Sequence, residues 1–225
     1  MVLSIETSTD ICSVALHDND TLVAQMVSTE AYSHAERLAP MIVDLLANNK
    51  VDKKDLGAIA VSSGPGSYTG LRIGTSTAKG LCYSLDIPLI AINTRESMLV
   101  GLPEQYTDYL KCPMIDARRM EVYCLLGYNA STIIKETHAL IVDQKSFENT
   151  LKNEKTLFFG NGSGKCKSVL TSKNAFFLEG VTPEAKNVGE LAVAKLNTKN
   201  YADLAYFEPD YLKPYHAIKA KNPLA

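Results

Sequence analysis

Residues 5–16, IETSTDICSVAL, lie without a gap against residues 115–126, IDARRMEVYCLL, 110 positions further on. Each segment is an apolar run that ends on an acid, Glu6 or Asp116, followed by a polar connection and a run with the same apolar alternation. One inserted residue later, Thr21-Leu22-Val23 matches Thr132-Ile133-Ile134, and LFFG at 157–160 repeats an earlier apolar run that precedes a glycine loop. A repeat of about half the chain limits the fold to two related lobes, here two β-β-β-α-β units joined near residues 101–109. The expected division is 1–104 and 105–225, the alternative being two unrelated meanders.

Within the first unit the spacing predicts strands at 2–5, 12–16 and 21–27, the last two joined by Asp18-Asn19-Asp20. Ser33 with Glu36 reads as a capping box opening a helix to Asn49, with Leu38, Met41, Ile42, Leu45 and Leu46 on its apolar stripe. Pro40 inside that stripe is expected to kink the helix or delay its start. A strand at 57–63, a helix at 71–85 and a strand at 88–92 complete the unit, and a helix is expected near 143–153 in the second. The chain is 46% hydrophobic and 21% charged with net charge -2, an ordinary globular composition. No apolar run reaches the roughly 18 residues of a membrane span. With no leader-like start either, the expected location is cytoplasmic. Five cysteines without a C-x-x-C read as reduced core thiols. The four histidines form no H-x-x-x-H pair.

The loop SSGPGSYTGLRIGTS, 62–76, fits neither phosphate fingerprint: the sixth position of a G-x-G-x-x-G count from Gly64 is Thr69, and Gly70 is followed by Leu71-Arg72, not Lys-Ser/Thr. Two readings stay open. Gly64, Pro65 and Gly66 turn the chain tightly, or Ser67, Thr69 and Gly70 open a helix N-terminus that holds an anion, with Glu6 nearby as an acid. The run 160–166 is one residue short of a Walker loop and ends in Cys166, so a turn is expected there.

LSIETSTDICSVAL, SHAERLAPMI, GPGSYTGLRIG, IDARRMEVY and PDYLK together resemble the actin-like ATPase superfamily, of RNase H-like α/β fold, and within it the bacterial TsaB family. That resemblance implies a non-catalytic dimerisation or scaffold subunit. Its partner would be a TsaD-like threonylcarbamoyltransferase, with a TsaE-like ATPase and tRNA reached through the complex and threonylcarbamoyladenosine as the product. No cofactor is required of this chain, and ATP or ADP has a place only at the partner interface; a homodimer of the isolated chain stays open. The catalytic paralogue carries a metal-binding H-x-x-x-H where this chain has Thr94 and Met98, so no metal site and no metallopeptidase activity are expected. The competing reading is an independent nucleotide-binding hydrolase or kinase using Glu6, Asp10 and Asp116.

The resemblance also implies a partner contact through the first two helices. Leu38, Ala39, Ile42 and Val43 on the first, and the small-residue stripe Gly70, Gly74, Ala78 and Cys82 on the second, are the candidates. The alternative is that the stripe packs on the chain's own sheet. The tail carries Lys213, Lys219 and Lys221 without an acid, a weak electrostatic footprint for RNA.

Overall fold

The computed structural model describes residues 1–30 and 33–212; the three tail lysines lie outside the described residues. Strands β1 (Val2–Glu6), β2 (Cys12–Asp18), β3 (Thr21–Ser28), β4 (Ala58–Gly64) and β5 (Leu89–Asn93) form a sheet of order β3-β2-β1-β4-β5. Strands β6 (Leu110–Asp116), β7 (Glu121–Asn129), β8 (Thr132–Ile141), β9 (Thr156–Phe159) and β10 (Ala175–Leu178) form a second, of order β10-β9-β6-β7-β8. Read from opposite edges, the two orders are the same. In both sheets the first strand pairs antiparallel with the second and parallel with the fourth. The repeat legible in the sequence is therefore a repeat of topology.

All five residues of β1 are buried because both faces of its sheet are covered. Leu3 and Ile5 face α1 (His34–Asn48) and α2 (Tyr68–Leu85), packing with Leu38, Leu45, Ala78 and Cys82. Val2 faces the other way, onto Val188 and Ala192 of a later helix. In the second lobe, α4 (Glu148–Asn153) covers Cys112, Met114 and Cys124 through Leu151. Its opposite face, with Ile115 and Leu157, packs on Met98 of α3 (Thr94–Met98) and on Tyr106 and Tyr109.

Several local expectations are corrected. Ser33 sits at the α1 N-cap, but its hydroxyl donates to the Glu30 carbonyl at 2.6 Å and caps no helical N–H, so no capping box forms. Pro40 does not delay the start of the helix, which begins at His34 and runs on past it; the proline is exposed, which leaves the backbone carbonyl it cannot bond within reach of water. In the second lobe, residues 143–146 fold into a turn in which Asp143 N–H donates to Ser146 Oγ, and α4 begins only after Phe147 at φ 62°. The helix α5 (Ala185–Asn197), to which the periodicity assigned no element, follows the second lobe in sequence yet packs on β1, β2, β4 and β5. Behind it Ala202 bridges Leu89 and Asp210 N–H donates to the Ser63 carbonyl at 2.7 Å. The chain past Ala185 thus belongs by packing to the first sheet, because that sheet has an apolar second face that only a returning helix can cover.

Candidate functional site

The β4–α2 loop is built against the turn that follows β1. Ser67 N–H donates to the Ser8 carbonyl at 2.6 Å, and the Ser67 hydroxyl caps α2 by accepting from Gly70 N–H at 3.3 Å. A Cβ on Gly66 would stand 2.2 Å from Ser8 O, one on Gly70 2.1 Å from Thr7 O, and one on Gly74 2.3 Å from Thr7 Oγ1. Three glycines at four-residue spacing therefore let α2 lie directly on the Thr7–Ser8 backbone. Gly64, at φ +103°, is closed over by the Asp210 carbonyl, and the Tyr211 ring packs tilted at 41° against Tyr68 with centroids 4.9 Å apart. Arg72 lies 4.1 Å from the Tyr68 ring centre and donates to the Tyr211 hydroxyl. Gly66 and Gly70 are accounted for by the chain's own packing, with no ligand needed to explain them. Pro65 is buried beside them, and Thr69 is exposed on the first turn of α2.

The three acids of the kinase-like reading stand in different surroundings. Glu6 is fully buried; its Oε1 accepts from Ser8 N–H at 2.6 Å, and its Oε2 has no hydrogen-bond partner among the described residues. Burial pushes its carboxyl up, opposed in part by the Ser8 N–H. Asp116, its counterpart in the repeat, is exposed, accepts from Arg118 N–H at 2.8 Å and pairs with the Lys165 ammonium. Asp10 is exposed on the β1–β2 turn. The second glycine loop mirrors the first: a Cβ on Gly162 would meet Asp116 N at 2.9 Å, and one on Gly160 Met114 O at 2.4 Å. Lys165 also donates to the Glu121 carbonyl at 2.6 Å, so it is not held out as a phosphate lysine.

The stripe on α2 faces inward. Gly70, Gly74, Ala78 and Cys82 are buried, as are Leu38 and Ile42 of α1, so six of the eight candidate contact residues serve the lobe's own core. Their small size is what lets α2 approach β1 and β4. Ala39 and Val43 do lie outside, Val43 at 58% exposure. On α2 the outer face carries Ser76, Gly80 and Tyr83, the last 84% exposed, and a Cβ on Gly80 would meet nothing within 4 Å among the described residues. Since α1 and α2 touch side by side, these outer faces adjoin.

Thr94 and Met98 are buried at the two ends of α3, and among the described residues no group of three or more His, Cys, Asp or Glu could hold a metal. All five cysteines are buried and unpaired, and burial pushes the Cys12 and Cys82 thiols up to about 11. Sequence reasoning missed Arg95, which is fully buried with no hydrogen-bond partner for any guanidinium nitrogen among the described residues; burial lowers it to about 10. An arginine in a TRES stretch on a short helix reads as a solvated charge, and only the seam between α3 and the second sheet buries it.

Residues 23–217 match the family model described as TsaD: tRNA N6-adenosine threonylcarbamoyltransferase. The chain is 31% identical to the tRNA threonylcarbamoyladenosine biosynthesis protein TsaB of Bacillus subtilis, over 94% of this chain and 93% of that one. YeaZ from Pseudomonas aeruginosa, a solved structure, superimposes with a TM-score of 0.76 at 26% identity, covering 94% of this chain and 99% of that one. An activator of 2-hydroxyisocaproyl-CoA dehydratase from Clostridium difficile, 10% identical, superimposes at a TM-score of 0.52 over 90% of this chain and 98% of that one; it supports the fold alone, that of the actin-like ATPases.

Proposed function

Because the chain belongs to the TsaB family of tRNA threonylcarbamoyladenosine biosynthesis proteins, we propose that it is a non-catalytic subunit which binds a TsaD-like transferase and supports that enzyme's modification of tRNA. The observation that carries the non-catalytic part is the β4–α2 loop: Thr7 and Ser8 pack against its glycines, and its Ser67 and Gly70 N–H groups already donate to the Ser8 carbonyl and the Ser67 hydroxyl, where a nucleotide phosphate would need them open. Two of the three acids agree with this. Glu6 is sealed away and Asp116 is held by Lys165, which leaves Asp10, exposed on the β1–β2 turn, as the one acid of the kinase-like reading not so engaged among the described residues.

Partner binding is supported by the outer faces of α1 and α2. A glycine inside a helix costs roughly 1 kcal/mol against alanine. At Gly80 nothing among the described residues uses the space that glycine leaves. A second pair of helices laid across Ala39, Val43, Gly80 and Tyr83 would use it, giving a four-helix contact. ATP or ADP, a TsaE-like ATPase and tRNA then belong to the assembled complex, which works in the cytoplasm; a homodimer through the same face is the competing occupant.

Reconstitution with the TsaD-like paralogue, a TsaE-like ATPase and unmodified tRNA tests this reading. Co-elution with the paralogue is expected, together with modification that stops when this chain is left out. Full modification without it, or ATP turnover above about 1 s⁻¹ by this chain alone, an ordinary enzymatic rate, overturns the proposal.

A further inference from the structure

The second lobe contains a group of side chains that the proposed function does not use. Cys124 of β7 stands directly opposite His138 of β8, with Sγ and Nε2 3.7 Å apart. The other ring nitrogen, Nδ1, lies 2.8 Å from the Glu136 carbonyl. A carbonyl only accepts, so Nδ1 carries a proton in that contact. Nε2 is then left either to accept from the Cys124 thiol or, once protonated, to face a thiolate. On the other side, Met114 pairs with Cys124 across β6 and β7, which places Cys112, two residues before Met114, on the same face and diagonal to Cys124. Cys166 shares this core but its thiol donates to the Gly162 carbonyl at 3.4 Å.

We propose that Cys124, Cys112 and His138 form a peroxide-sensitive thiol pair, with Cys124 the attacking sulfur and Cys112 the resolving one. The groups around Cys124 act together. Donation from the Cys112 thiol holds Cys124 below the usual thiol range against its own burial, aided by His138 and, at longer range, by Arg95 of α3. Burial pushes Cys112 up, so it remains the donor, while contact with Cys124 raises His138 against its own burial and, less, the charge of Lys135. Cys166 is likewise pushed up by burial. Cys124 is fully buried, but β8 is the sheet's edge strand, His138 is half-buried on it, and the β7–β8 register shifts immediately after Cys124. Such bulges break the ladder locally, and edge strands open at low cost, which admits a molecule as small as hydrogen peroxide.

In the first step the Cys124 thiolate attacks one peroxide oxygen: an S–O bond forms, the O–O bond breaks, and the departing hydroxide takes the Nε2 proton of His138 to leave as water. Cys124 is now a sulfenic acid, oxidised by two electrons. Cys112 then attacks that sulfur, an S–S bond replaces the S–O bond, and the hydroxyl leaves as a second water with the Cys112 proton. Two thiols and one peroxide give one disulfide and two waters.

The test uses the full chain, reduced and then freed of reductant, exposed to hydrogen peroxide at pH 6.5 and mapped after tryptic digestion. Arg118 and Arg119 separate the two cysteines into different peptides, so their cross-link is directly visible. The expected result is a Cys112–Cys124 disulfide forming at least about tenfold faster than oxidation of Cys12 or Cys82, because the thiolate is the reacting species. His138→Gln, on the half-buried edge, is expected to slow it about tenfold. Cys112→Ser is expected to leave a sulfenic acid on Cys124 that dimedone traps. Equal oxidation of Cys12, Cys82 and Cys124 in the wild type, or an unchanged rate in a folded His138→Gln chain, overturns the proposal.

Discussion

Two substitutions on one helix separate internal packing from partner contact. Ala78 is completely buried in the cluster that contains Leu3, Leu38, Ile59 and Cys82, whereas a Cβ on Gly80, two residues on, meets none of the described residues. Ala78→Leu forces three more carbons into a filled core, and overpacking of this kind costs about 1–3 kcal/mol. For a chain of this size that lowers the melting temperature by about 2–12 °C. Gly80→Leu adds the same side chain to the outer face and gains about 0.8 kcal/mol of helix propensity, so its melting temperature holds or rises by about 2–3 °C. Against the TsaD-like partner the order reverses. A leucine at a close helix contact costs about 1–3 kcal/mol, roughly 5- to 150-fold in Kd. Ala78→Leu, once folded, is expected to bind within about threefold of wild type, a difference under 0.7 kcal/mol. Differential scanning fluorimetry and a calorimetric titration with the partner measure both quantities. If Ala78→Leu melts normally but loses the partner, the inward stripe is an interface after all; if Gly80→Leu binds at full strength, the outer face of α2 is not the contact.

Gly70→Ala places a Cβ 2.1 Å from the Thr7 carbonyl, a backbone atom that cannot swing aside, and is expected to lower the melting temperature by about 2–12 °C in the same assay. Glu6→Gln keeps an acceptor for Ser8 N–H. Because the folded carboxyl titrates above its unfolded value, the native state holds its proton more tightly, and wild-type stability falls as pH rises from about 4.5 through the folded pKa. The variant is expected to lack that fall in urea midpoints across pH 4–8, and to retain tRNA modification within about 100-fold in the reconstituted complex; a larger loss, more than about 2.7 kcal/mol of barrier, with assembly intact would give Glu6 a catalytic role. Elemental analysis of tag-free protein is expected to find well under one zinc or iron per chain, since Thr94 and Met98 offer no hard ligand; about one per chain would refute this.

The repeat and the two-lobe topology were legible because strand alternation and turn residues are local, period-two signals that survive in the sequence of each unit. The absence of a histidine pair at Thr94 and Met98 and the near misses to phosphate fingerprints were also local facts. What the loop glycines do was not. Gly66, Gly70 and Gly74 have the same spacing whether a phosphate or the Thr7–Ser8 backbone fills the space beside them, and only the folded lobe brings that turn into place. The direction of the α2 stripe was undecided for the same reason. Small residues mark close approach without naming what approaches, and β1 and β4 proved to be the neighbours of Ala78 and Cys82. The α5 helix, which returns from behind the second lobe to cover the first sheet, and the fully buried Arg95 depend on contacts between residues far apart in sequence. Local pattern set the elements and their order here, because it acts through neighbouring residues; burial, charge environment and which faces of α1 and α2 point inward were decided by packing between elements, which no single segment encodes.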